Sequence, residues 1–192
     1  MTTVYFVRHA QPRYDWADDR TRPLTDEGIK DTDLVLETLK DKGIDVFYCS
    51  PYKRSLDTIK STAEFYCMPI TTDERFRERR CGKIKGNIKE MFEKRWTDHS
   101  FHEPGGESLD MVQKRNIEAL EEILAKESGK NVVVGTHGTA LSTILHYYDS
   151  SFGLEDFMRI IDWMPYIIRL DFDGTKLVNK TEIAHIHKAF KG

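Results

Sequence analysis

Val4-Tyr5-Phe6-Val7-Arg8-His9-Ala10 is an apolar run that ends abruptly in a cation and an imidazole. Four consecutive apolar residues read as a buried strand, and Arg8 and His9 then stand at its carboxyl tip. Alone, the pair fits a structural or solvated histidine better than a catalytic one. Its weight depends on whether later strands end in comparable chemistry.

They do. Val46 to Cys49 is a short apolar strand that ends at Ser50-Pro51, where Ser50 is expected to cap a helix and Pro51 to occupy its first position. Arg54 falls within the first turn or so of that helix. A brief strand, Ile70-Thr71-Thr72, leads into a charged stretch from Arg75 to Gly86 in which Glu78 stands among Arg75, Arg77, Arg79 and Arg80. Asn131 to Thr136 has the continuous Val-rich character of a parallel strand buried on both faces, and it runs into His137-Gly138.

Helices separate these strands. Thr25 caps one that carries Ile29, Leu34, Val35, Leu36 and Leu39 and stops at Gly43. A second carries Leu56, Ile59, Ala63 and Phe65. Asn87 to His99 reads as a third, with a stripe of Met91, Phe92 and Trp96. Ser108 caps a fourth that ends at Gly129, and a fifth lies near Ala140 to Tyr147. After a segment around Phe157 to Ile161, the runs Tyr166 to Phe172 and Lys176 to Ile183 are joined by Asp173-Gly174, a hairpin signal. The expected fold is therefore α/β: three layers, α/β/α, with a mainly parallel central sheet and an antiparallel strand addition at the C-terminal end.

The 192 residues suit one domain spanning residues 1–192, with a small lid-like insertion around residues 87–106. A net charge of -3 lacks the global basic footprint of a nucleic-acid binder, so no nucleic-acid partner is expected. No apolar run approaches the ~20 residues of a membrane span, and the first one is too short for a signal peptide. Cys49, Cys67 and Cys81 are odd in number and lack C-x-x-C spacing, which argues against a disulfide framework and a zinc knuckle. Free thiols and a cytoplasmic location are expected. Gly105-Gly106 is too short for a dinucleotide loop and has no P-loop lysine, so no cofactor is expected. His185-x-His187 has metal-grip spacing, but a solvent-facing strand is the plainer reading.

In a parallel sheet, ligands bind beyond the carboxyl ends of the strands. The tips there would bring together two imidazoles, two guanidiniums and a carboxylate. Guanidinium forks match phosphate oxygens, and neutral imidazole is a competent nucleophile. That set suits phosphoryl transfer without a metal.

The sequence resembles the histidine phosphatase superfamily, also called the phosphoglycerate-mutase-like family. The resemblance rests on Arg8-His9-Ala10, Pro23-Leu24-Thr25-x-x-Gly28, Ser50-Pro51-x-x-Arg54, Glu78 with Gly82 and Gly86, Gly105-Gly106-Glu107-Ser108, and His137-Gly138 in that order. It implies that His9 is phosphorylated during turnover, that Arg8, Arg54 and His137 hold the phosphoryl group, and that Glu78 donates the leaving-group proton. His9, Glu78 and His137 are thus the expected catalytic residues. There are departures. Ala10 replaces the usual glycine, and Gln11-Pro12 with Asp15 replaces the mutases' residues. An inward Asp15 carboxylate would repel phosphate, and the segment between Gly86 and Pro104 is short for a mutase lid.

The favoured reading is a phosphatase that hydrolyses phosphate monoesters of a small phosphorylated substrate or a phosphoprotein, acting as a monomer or homodimer. A phosphoglycerate-mutase-type phosphotransferase is the alternative. A catalytically weak phospho-ligand binding module and a metal hydrolase using His9, His137 and Glu78 as ligands are further readings. Arg75, Arg77, Arg79, Arg80, Lys83 and Lys85 are expected to make a cationic approach to the pocket, and Phe92, Trp96 and Phe101 to line a lid.

Overall fold

The computed structural model describes residues 1–83 and 87–191; Ile84, Lys85 and Gly86 lie outside the described residues, as does Gly192. Chain order is β1 (Thr2–Arg8), α1 (Asp26–Leu39), β2 (Val46–Cys49), α2 (Lys53–Phe65), β3 (Ile70–Thr72), a 3-10 turn (Glu74–Phe76), α3 (Ile88–Thr97), α4 (Leu109–Lys126), β4 (Asn131–Thr136), α5 (Gly138–Tyr148), α6 (Leu154–Ile160), β5 (Trp163–Asp173) and β6 (Lys176–His187).

The strands form one sheet in the order β3-β2-β4-β1-β5-β6. The first four are mutually parallel, whereas β5 runs antiparallel to β1 and β6 antiparallel to β5. Alternation along β1 explains the layering. Val4 and Phe6 point into a core shared with Leu120, Ile123, Leu141, Ile144 and Phe157 from α4, α5 and α6. Tyr5 and Val7 point into another shared with Val35, Leu39, Ile59 and Ala63 from α1 and α2. Strand β4 divides in the same way, with Val132 and Val134 on one side and Val133 on the other. A strand buried on both faces needs apolar residues at every position, which is why these runs are continuous rather than alternating.

Local signals operate largely as the sequence dictates. Thr25 Oγ1 accepts the Gly28 N–H at 2.9 Å and Ser108 Oγ accepts that of Met111 at 3.1 Å, so both expected caps are formed. Gly43, Gly129 and Gly174 take the positive φ that reverses the chain after α1, after α4 and between β5 and β6. Gly28 is required for a different reason: a Cβ there would lie 2.4 Å from the Gln11 carbonyl oxygen.

One expected cap is different. Helix α2 begins at Lys53 with Tyr52 at its N-cap and no side-chain cap. Ser50 is fully buried instead, and its hydroxyl bonds to His137. The terminal histidines also settle: His185 stacks on Trp163 with ring centroids 3.8 Å apart, and His187 is exposed beside Asp162.

Candidate active site

Strand order brings the carboxyl tips of β1, β4 and β2 side by side, and with them Arg8-His9, His137 and the approach to Arg54. A cavity of about 620 Å³ opens there, lined by Arg8, His9, Arg54 and Glu78 among others. His137 stands one layer back. It is wholly buried, with its ring 5.2 Å from that of His9 and 5.2 Å from that of Tyr52.

His9 is held in a defined tautomer. Its Nδ1 lies 2.7 Å from the Ala10 carbonyl oxygen, which can only accept, so Nδ1 carries the proton and Nε2 keeps its lone pair. Burial, followed by the charges of Arg54 and Arg8, pushes the imidazole well below the usual histidine range. The Ala10 N–H is itself committed to Thr58 Oγ1 at 2.9 Å.

Arg8 is anchored through one nitrogen. Its Nη1 donates to the carbonyl oxygens of Ile160 (2.6 Å), Ile161 (2.9 Å) and Trp163 (3.2 Å), where α6 ends and β5 begins. Its buried Nε has no partner among the described residues. Arg54, equally buried, donates through Nη1 to the Asp19 carbonyl oxygen at 2.6 Å and pairs with the Asp19 carboxylate at 3.1 Å.

His137 Nε2 lies 2.7 Å from Ser50 Oγ. Ser50 Oγ also accepts the Tyr52 N–H at 3.2 Å, so the one hydroxyl links the start of α2 to His137. Nδ1 of His137 has no partner among the described residues. Burial, with Arg54 and His9 adding to it, pushes this imidazole well down too.

Glu78 sits over the N-terminus of α5. Its Oε1 accepts from the backbone N–H groups of Arg79 (2.7 Å) and Ala140 (3.2 Å), and Oε2 from that of Thr139 (3.1 Å). A carboxylate is favourable at a helix N-terminus. Among the described residues, no three His, Cys, Asp or Glu side chains are grouped to hold a metal ion.

A family model described as the histidine phosphatase superfamily (branch 1) matches residues 4–179. The chain belongs to the histidine phosphatase superfamily. Among similar proteins, the probable phosphoglycerate mutase GpmB of Yersinia pestis (strain Pestoides F) is 27% identical over 158 residues, covering 76% of this chain and 74% of that protein. The structure of Bacillus stearothermophilus YhfR matches with a TM-score of 0.76 at 24% identity over 99% of this chain and 98% of that one. A mutant phosphoserine phosphatase from Entamoeba histolytica in complex with phosphoserine matches with a TM-score of 0.77 at 18% identity, covering 96% of each chain. At such identities the structural matches establish a shared fold.

Within this histidine phosphatase superfamily member, the arginine-rich stretch differs from the expected open cationic approach. Arg75 is turned to Asp73 and Glu122, both at 2.7 Å. Arg77 and Arg115 grip the buried Glu107 from two sides, at 2.5 and 3.1 Å. Arg79 pairs with the buried Glu103 at 3.0 Å, and Arg95 pairs with the same carboxylate. Arg77, Arg79 and Arg80 do line the cavity, but Arg77 and Arg79 do so as members of ion pairs; Nη2 of Arg79 has no partner among the described residues. Lys85 lies outside the described residues. The physical reason is cost: buried guanidiniums need counter-charges, and Glu103 and Glu107 supply them.

Burial tends to raise the Glu107 carboxyl, but hydrogen bonds from Arg77, Arg115 and the Arg80 N–H outweigh it and hold the group down at about 2. Sequence reasoning missed these counter-ions, although six arginines between residues 75 and 115 were the available signal. It also missed Asp19, Thr58, Tyr14 and Phe190. Asp15 does not repel a ligand, because its exposed carboxylate is turned to Arg13 at 2.8 Å. Of the expected lid residues, Phe92 lines the cavity and Trp96 packs against Phe152 and Phe157 in the core.

Proposed function

We propose that this protein is a metal-independent phosphomonoesterase in which His9 carries the phosphoryl group. The carrying observation is the state of His9: buried, neutral, and with Nδ1 committed to the Ala10 carbonyl, so that Nε2 is the free nucleophile. Arg8 and Arg54 supply positive charge beside it. Among the described residues, Arg8 Nε is a buried donor without a partner, the condition that an anionic oxygen relieves, and the buried His137 Nδ1 is also unpartnered.

The chemistry is two in-line displacements. His9 Nε2 attacks phosphorus, the ester P–O bond breaks with its electron pair on the leaving alkoxide, and Glu78 delivers a proton to that oxygen. Water then attacks the phosphohistidine, the P–N bond breaks with its pair returning to Nε2, and Glu78 takes the water's proton. Glu78 Oε2 accepts a single backbone N–H at rest and keeps a lone pair for that proton. The cavity volume suits a small phosphorylated substrate.

A phosphomonoester panel run with and without EDTA tests this reading, scored for free phosphate and for transfer products, with an acid-labile phosphoenzyme trapped by rapid quench. Phosphate release that survives chelation, and a phosphoenzyme missing in His9→Ala, are expected. Loss of activity with EDTA would sink the metal-independent mechanism. Isomerised 3-phosphoglycerate without free phosphate would show a mutase instead.

A further inference from the structure

Four aromatic rings from widely separated segments meet on one side of the cavity that holds His9. Tyr14 follows β1, Phe92 belongs to α3, Phe157 to α6, and Phe190 follows β6; all four line the cavity. They form a continuous wall. Tyr14 packs edge-on against Phe190 with centroids 5.8 Å apart, Phe92 lies 6.5 Å from Phe190, and Phe92 meets Phe157 edge-on at 5.1 Å. Ile161 extends the same surface.

The wall is held in place. The Phe190 N–H donates to Asp162 Oδ1 at 2.7 Å, and Lys188 pairs with Glu27 at 3.0 Å and Asp31 at 3.2 Å, which ties the strap after β6 to α1. Of the arginines that line the cavity, Arg77 is paired with Glu107, and Arg79 and Arg95 share Glu103. A volume of about 620 Å³ is far more than a phosphoryl group fills and lies in the range of sites for whole organic ligands.

We infer that the leaving group of the natural substrate is a bulky apolar or aromatic alcohol that packs against Tyr14, Phe92, Phe157 and Phe190 while its phosphate sits at His9. This rests on the phosphomonoesterase reading above and names the substrate class for it. Such a wall rewards apolar area removed from water, and flat rings favour edge and offset contacts with an aromatic ligand.

The test uses three primary-alkyl phosphates with comparable leaving groups: 3-phenylpropyl phosphate, propyl phosphate, and an analogue of the latter ending in a carboxylate. For the whole chain, kcat/KM for the phenylpropyl ester is expected to exceed that for the propyl ester by about tenfold or more, mainly through KM. In Phe190→Ala the ratio should shrink several-fold, and Phe92→Ala provides a second variant should the strap detach. Calorimetric binding of the same three esters to His9→Ala reads the preference without turnover, so that failure of catalysis and failure of this inference are distinguishable. Equal affinities for the phenylpropyl and propyl esters, or tightest binding of the carboxylate-ended ester, would overturn it.

Discussion

A Cβ on Gly138 would stand 3.2 Å from the guanidinium of Arg8. Glycine there lets the start of α5 close against the arginine that flanks His9. Arg8 cannot retreat freely, because its Nη1 is bound to three carbonyl oxygens. Gly138→Ala should therefore displace Arg8 by a few tenths of an ångström and lower kcat by roughly ten- to a hundredfold, with little change in thermal midpoint. Steady-state kinetics beside a melting curve checks this; unaltered kcat would mean that the placement of Arg8 is not critical.

Glu107 is the shared counter-ion of two half-buried arginines. Glu107→Gln leaves Arg77 and Arg115 without their counter-ion and should destabilise the fold by about 3–5 kcal/mol, measured by urea unfolding near neutral pH. The group titrates at about 2 in the fold against 4.5 ordinarily. Its folded proton affinity is depressed, so its contribution is complete above pH 4.5 and is lost as pH falls from there toward 2. The variant should lack that part of the acid sensitivity.

His9 and His137 give a separate pH dependence. Both are held well below the ordinary value of 6.5, first by burial and then by Arg54. The unfolded chain takes up these protons below pH 6.5 and the folded chain does not, so stability is full above that pH and falls beneath it. The slope is about 1.4 kcal/mol per pH unit for each histidine. Urea titrations between pH 7.5 and 5 should show a shallower decline in His9→Asn than in the native chain, and parallel lines would contradict the assignment.

Thr58 supports His9 through the backbone. Its hydroxyl accepts the Ala10 N–H and donates to the Arg54 carbonyl oxygen at 2.7 Å. The near-isosteric Thr58→Val would leave the Ala10 N–H buried and unpaired, at a cost of about 1–3 kcal/mol. Since the Ala10 carbonyl orients His9, kcat should fall more than KM rises. A stability loss with unchanged kcat would reduce Thr58 to a packing role.

Much of the site was legible because its chemistry sits at the ends of strands. The apolar runs before Arg8 and His137 are buried on both faces, so their composition marks them without reference to partners. Arg54 followed from its place just after β2. What escaped was everything decided by distant neighbours. The charged stretch around Glu78 read as a cationic approach because Glu103, Glu107 and Glu122 lie 25 or more residues beyond Glu78 and carry no local signature as its counter-ions. Ser50 looked like a helix cap by position, yet its hydroxyl is taken by His137, 87 residues away. Phe190 and Tyr14 share a wall only because β6 and the segment after β1 return to the same end of the sheet.

Arg8 spans the chain: its Nη1 bonds to carbonyls of residues 152, 153 and 155 positions later. A nascent polypeptide exposes His9 on the ribosome long before Ile160 has been joined to it. The guanidinium beside His9 can take its anchored pose only after most of the message has been read. A chain released before residues 160–163 have been added carries His9 without the carbonyl oxygens that anchor Arg8 beside it.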